Sequence, residues 1–311
     1  MSIGGSGDER LSKNQRREAA REKARVLREQ HKRKERRNRF VLQGGLIIIS
    51  LAIVAVVTLI IVNSVRPPSP GPLNMLSDGI TIGTGFEALP TAALQADAAP
   101  VATAPDPATG AIAIQIWVDY QCPICKAFED ANSEQISTLV TQGVATLEIH
   151  PIAILDRASL GSRYSSRAAN SAACVANFSP NSYYDYNAAL YANQPAESTT
   201  GLTDDELIKI TRDAGVSSAS DIAGCIKDET FKSWAAAATE RAVSDTALLN
   251  EQGNFGTPTI LVDGKRYTGS PDDATAFAQF VAATDGAKFS QQNSSTPSPA
   301  PSPAPSAAPS P

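Results

Sequence analysis

The sequence predicts one α/β domain, interrupted by a block of helices and preceded by a single membrane-spanning helix. Three observations predict it. Strand and helix periodicities between residues 111 and 285 follow the order βαβ, helical block, β-hairpin, helix. Residues 41–62 form an almost wholly apolar run. Charge is also split along the chain: residues 1–39 hold 14 Lys/Arg against 6 Asp/Glu, and the remainder holds 13 against 26. A basic head on an acidic body, with net charge −5, argues for membrane topology and against a nucleic-acid-binding domain.

The basic tail, residues 1–40, has helix-forming composition but few large apolar side chains, so it has no core of its own. It reads as a cytoplasmic segment that fixes orientation, or as a polybasic stretch against anionic lipid. Residues 41–62 (VLQGGLIIISLAIVAVVTLIIV) would span about 33 Å as a helix, enough to cross the hydrocarbon layer. Positive charge precedes this run, which places the N-terminus in the cytoplasm and the rest outside. A cleaved signal peptide is the rival reading. The long basic head, the long apolar run and the lack of a small-x-small site in IVNSVRPPSP favour an uncleaved signal-anchor. Residues 63–110 read as a Pro/Ala-rich linker holding the domain off the membrane, with a candidate edge strand near 79–84. The Ser/Pro/Ala tail, 286–311, is expected to be disordered.

Within 111–285, AIAIQIWVD (111–119) reads as a buried strand. Ile124, Phe128, Ala131, Ile136, Leu139 and Val140 then trace a helical face that ends at Gly143. VATLEIH (144–150) alternates as a second strand. The insertion, about 160–250, is Ala-rich and helical, with a capping-box start at Thr203–Glu206. Thr259–Val262 makes a further strand, Asp263-Gly264 a hairpin turn into Arg266–Thr268, and 271–283 a final helix. About 175 residues suffice for a substantial core.

The chemistry resides in Cys122-Pro123-Ile124-Cys125, where a strand gives way to a helix. Pro123 suits the first helical position, which leaves Cys122 at the N-cap, facing unpaired N–H groups and the positive end of the helix dipole. Both favour the thiolate and lower its pKa below about 8.5. Cys125, three residues on, lies within disulfide reach and is expected to be the more buried, resolving thiol. Zinc would need four ligands, and no second close Cys pair exists; with only His31 and His150 in the chain, no metal or other cofactor is expected. Gly256-Thr257-Pro258-Thr259 opens the later strand. A proline there marks an edge or a special bend. It is either a cis-proline beside the redox helix, leaving Thr257 to pair with a substrate segment, or an ordinary trans loop proline. Cys174 and Cys225 both fall in the insertion. They read as a structural disulfide contributing roughly 4 kcal/mol through loop closure, or as a second redox pair. His150 is expected at the surface or a strand end, and Phe231, Trp234 and Tyr183–Tyr186 in packing.

VDYQCPICKAFE and GTPTILVDG, in this order, resemble the thioredoxin superfamily. The long helical insertion is similar to that of its DsbA-like branch, especially the membrane-anchored bacterial proteins, over about residues 79–285. The resemblance implies a thioredoxin-like fold with an inserted α-helical domain, Cys122 as nucleophile, Cys125 as its partner and Pro258 as the cis-proline. Two departures stand out. The buried acid that such proteins carry six residues before the first cysteine is Ile116 here, and Asp119 should face the other side of the strand. The dipeptide is Pro-Ile rather than Pro-His, which implies a weaker oxidant, with a potential between about −270 and −120 mV.

The expected function is an extracytoplasmic, single-pass membrane thiol–disulfide oxidoreductase that forms disulfides in secreted or envelope proteins bearing cysteine thiols. Its expected redox partner resembles DsbB or its quinone-reductase counterpart. The alternatives are an envelope disulfide isomerase or reductase, and a non-enzymatic envelope binding protein with a thioredoxin-like domain.

Overall fold

The computed structural model describes residues 69–103 and 110–294, with side chains to 286, and before them only residue 18 and the short pieces 21–29, 32–34, 43–45 and 50–54. The chain divides into two units, 1–67 and 68–311. In the first unit the described pieces are helical, and most of the apolar run 41–62 lies outside the described residues. Among the described residues no helix is long and apolar enough to cross a membrane.

The second unit is built on a five-stranded sheet. Strands β1 (Ile80–Ile82), β2 (Ile112–Val118), β3 (Ala145–Pro151), β4 (Thr259–Val262) and β5 (Lys265–Arg266) lie in the order β1-β3-β2-β4-β5. β2 and β3 run parallel, connected through helix α1 (Pro123–Thr141), and the other pairings are antiparallel. Ile116 of β2 sits between Ile149 of β3 and Ile260 of β4, all three buried. Both faces of the sheet are covered, which is why β2 reads as a nearly continuous apolar run.

Helix α1 buries Cys125, Phe128, Asn132, Ile136 and Val140, a stripe at the spacing of three and four that one helical face requires. Helix α7 (Ala274–Ser294) lies beside it, with Phe277 edge-on to Phe128 at 5.2 Å. A second, smaller core joins Trp117, Ile152 and Leu261 to Ala242 and Leu248.

Between β3 and β4 the chain forms five helices: α2 (Tyr164–Phe178), α3 (Tyr183–Ala192), α4 (Asp204–Asp213), α5 (Ala219–Lys227) and α6 (Lys232–Ser244). Residues 168–176 of α2 are all buried. Their small side chains let neighbouring helices approach. Thr203 and Glu206 cap α4 reciprocally, as the sequence predicts. Cys174 on α2 is disulfide-bonded to Cys225 on α5, with Cα atoms 5.9 Å apart.

The structure corrects several expectations. The candidate edge strand near 79–84 is β1, at the sheet edge against β3, but much of the flanking stretch read as a linker is also packed onto the domain: Met75 and Leu94 are buried, and Arg241 grips Asp78 with two bonds of 2.6 and 2.7 Å. The final helix continues to Ser294, beyond the expected end at 283 and into the stretch read as a disordered tail. The next proline is Pro297, and a single glycine such as Gly286 costs a helix only about 1 kcal/mol. β5 is shorter than expected, two residues. His150 stands at the end of β3, as one of the two expectations had it, but it is buried rather than at the surface and stacked on Trp117 at 4.2 Å, because the main chain at Gly79 closes over its ring where any Cβ would collide.

Candidate active site

β2 ends at Val118, and Asp119, Tyr120 and Gln121 turn the chain into α1. Cys122 is the N-cap, with extended backbone angles (φ −76°, ψ 116°) and its N–H bonded to the Asp119 carbonyl at 2.9 Å. Pro123 takes the first helical position, where its missing N–H has no partner to lose. Cys125 lies one turn on, facing inward. Cys122 and Cys125 are 5% and 2% exposed, whereas Ile124 between them projects into solvent. The two sulfurs are unbonded in this structure.

The second element arrives from β4. The Thr257–Pro258 peptide is cis, and the Cys122 thiol donates to the Thr257 carbonyl at 3.3 Å. Cys122 is lowered to about 6. The bond from the Cys125 thiol is the largest cause, and the Thr257 hydroxyl and the N–H groups of Cys125 and Ile124 add to it against burial. Cys125 moves well above the ordinary thiol range, first through burial and then through the proton it lends to Cys122. One sulfur is thus poised as a thiolate and the other as its hydrogen-bond donor.

Asp119 faces away from the pair. Its Oδ1 accepts from the Gln121 N–H (2.9 Å) and the Ser165 hydroxyl (2.7 Å), and its Oδ2 from the N–H groups of Ile154 and Leu155 (2.9 Å each). Burial nonetheless raises it to about 6. The carboxylate thereby fastens the β3–α2 loop to the turn that carries Cys122.

Beneath the pair, Ile116 lines a small cavity of about 10 Å³ together with Cys125, Glu129, Asn187 and Tyr191. Glu129 is half-buried. Burial pushes its carboxyl up to about 7, opposed by the Asn187 amide, which donates to Oε1 at 3.3 Å. This glutamate is absent from the sequence-based site, although its position four residues after Cys125 puts both on one helical face. Gln194 carries no such signal. Its amide donates to the carbonyls of Tyr120 (3.1 Å) and Cys122 (2.9 Å), pinning the N-cap from a loop after α3. Phe231, Trp234, Tyr183 and Tyr186 are buried in packing. Among the described residues no three His, Cys, Asp or Glu side chains are grouped to hold a metal ion.

Residues 109–283, more than half of the chain, match the family model described as Thioredoxin. The chain belongs to the thioredoxin family. Among solved structures it is similar to oxidised DsbA of Mycobacterium tuberculosis, at 25% identity and a TM-score of 0.50, over 70% of this chain and 100% of that one. It also shares the fold of oxidised BdbD of Bacillus subtilis, at 16% identity and a TM-score of 0.50, over 71% of this chain and 100% of that one. No curated protein matches it. With Cys122 and Cys125 at the head of α1 and the Thr257–Pro258 element against them, this family member is a DsbA-like thiol–disulfide oxidoreductase.

Proposed function

We propose that the protein forms disulfides in secreted or envelope proteins, from a single-pass anchor at 41–62 that leaves the N-terminus in the cytoplasm and the redox domain outside. Cys122 carries the reaction. A substrate thiolate attacks Sγ of Cys122 in the Cys122–Cys125 disulfide, and Cys125 leaves with the electron pair of the broken bond. A second substrate thiolate then attacks the substrate sulfur of the mixed disulfide, expelling Cys122 as thiolate. The substrate is oxidised by two electrons and the pair is reduced. The Thr257 main chain beside Cys122 supports an extended substrate segment. A membrane protein resembling DsbB, or its quinone-reductase counterpart, reoxidises the pair.

The observation that carries this direction is the lowering of Cys122 to about 6. A stabilised thiolate favours the reduced pair, and therefore makes its disulfide the better oxidant. Ile124 supplies no charge to that thiolate, and this favours the runner-up, an envelope isomerase or reductase. Trapping free thiols in intact cells separates the two. A mainly oxidised Cys122–Cys125 pair is expected, and a mainly reduced one would sink the oxidase reading. Cys122→Ser must abolish activity, since a binding protein without enzymatic function would work unchanged. The anchor is tested by retention in membranes after an alkaline wash, with the domain digested by protease added from outside.

A further inference from the structure

Cys125 must gain a proton when it leaves the disulfide and lose one when it attacks. In this chain the strands under the pair offer no group to exchange it: the cavity wall from β2 and β3 is apolar, Ile116 and Leu147 among it. The polar wall comes from α1 and α3. Glu129 is one helical turn from Cys125 on the same face, where side chains four apart are neighbours. Asn187 holds one of its oxygens. Tyr191, from α3, brings a buried hydroxyl that has no hydrogen-bond partner among the described residues. The cavity these groups enclose, about 10 Å³, is the size of one water, and a buried water needs two to four polar partners. Cys125, Glu129 and Tyr191 supply three.

We propose that Glu129 exchanges the proton of Cys125 through one water in this cavity, held by Tyr191, in place of the carboxylate that Ile116 replaces. The inference rests on the oxidoreductase reading of the site. When a substrate thiolate breaks the Cys122–Cys125 bond, the departing Cys125 sulfur takes a proton from the water, and protonated Glu129 restores the water and becomes a carboxylate. When a mixed disulfide on Cys122 is resolved, the flow reverses. The Cys125 thiol gives its proton to the water and the water gives one to the Glu129 carboxylate. The Cys125 thiolate attacks Cys122 Sγ, the intramolecular disulfide forms, and the bound thiol leaves as thiolate.

Burial places the Glu129 carboxyl at about 7, where it serves as donor and acceptor near neutrality. The groups facing it are Tyr184 and Tyr191 from α3, Tyr120 from the turn before α1, and Cys125, Lys126 and Asp130 on its own helix. Of these, Asp130 raises the Glu129 carboxyl and Lys126 lowers it.

The test uses the full chain carrying a glutathione mixed disulfide on Cys122, with glutathione release followed against pH. In the wild type, release is expected to rise through an inflection near pH 7, set by Glu129. Glu129→Gln is expected to lose that inflection and to slow release by about 100-fold, the range of a lost general base. Glu129→Asp should restore part of the rate with an inflection still present. Thermal unfolding and the alkylation profile of Cys122 establish that the variants are folded. A Gln variant with an unchanged profile, or one slowed equally at every pH with the inflection kept, overturns the relay while leaving the oxidoreductase reading intact. Wild-type protein that releases no glutathione overturns that reading, and the relay with it.

Discussion

Cys122 and Thr257, 135 residues apart in sequence, meet with the Cys122 sulfur 3.3 Å from the Thr257 carbonyl oxygen. The contact joins the two halves of the domain across the helical insertion. It sets one sulfur against the Thr257 main chain and a hydroxyl that stabilises the thiolate.

Alkylation of reduced protein is expected to titrate with a midpoint of about 6 for Cys122, while Cys125 stays unreactive to far higher pH. Thr257→Val, which removes the hydroxyl, should move the midpoint upward; a midpoint that stays put would show that the hydroxyl contributes nothing. The shift also sets a stability profile. Between about pH 6 and 9 the unfolded chain holds the Cys122 proton and the folded chain does not, so folding is favoured as pH rises. The stability of reduced wild type over Cys122→Ser should therefore grow across that window in denaturant titrations, and fall away as pH drops through 6.

Asp119 gives the opposite sign. Its folded carboxyl keeps its proton up to about 6, whereas an unfolded aspartate ionises near 3.9. Stability linked to it is complete below about pH 4 and is lost as pH rises towards 6. Asp119→Asn should remove this slope. It should also cost about 2–3 kcal/mol, because an amide cannot accept from Ile154, Leu155, Gln121 and Ser165 together. Denaturant unfolding at pH 4, 5, 6 and 7 measures both effects. An unaltered slope in the variant would assign it to another group.

The ion pair between Arg241 and Asp78 tests whether residues 69–103 belong to the domain. Arg241→Ala leaves Asp78 without its guanidinium in a site where the carboxylate is 10% exposed. The expected loss is about 2–3 kcal/mol, with faster proteolytic cutting within 69–103. Rapid cutting of the wild type in that stretch would show that the segment is not held.

This segment also marks where legibility in sequence ends. β2 and β4 are legible because β-branched residues such as Ile112, Ile114 and Ile260 recur without charge, β3 because apolar and polar residues alternate along it, and α1 because its apolar spacing is helical. Apart from the edge strand near 79–84, which is legible and present as β1, residues 63–110 read as a spacer for their Pro and Ala content, yet a few side chains such as Met75 and Leu94 suffice to dock on a surface made elsewhere. At the site, Cys122, Cys125 and Pro258 stand in recognisable local patterns. Gln194 reaches Cys122 only through the fold of the insertion, which no local pattern encodes. Glu129 stands between these cases: its spacing from Cys125 is readable, but its burial depends on α3.

The Cys174–Cys225 bond ties α2 to α5 across 51 residues of chain, with both cysteines buried in the insertion. In the chain-entropy account a loop of this length stabilises the folded state by roughly 4 kcal/mol. Replacing both by alanine is therefore expected to lower the unfolding free energy by about that amount, read from denaturant midpoints with the slope checked for two-state behaviour. If the bond is structural, the surviving folded fraction should show the same Cys122 alkylation midpoint as the wild type. It should also oxidise a reduced substrate at the same rate per folded molecule. A variant that keeps its stability but loses turnover would reverse the assignment, making Cys174 and Cys225 a second redox pair that exchanges with Cys122 and Cys125.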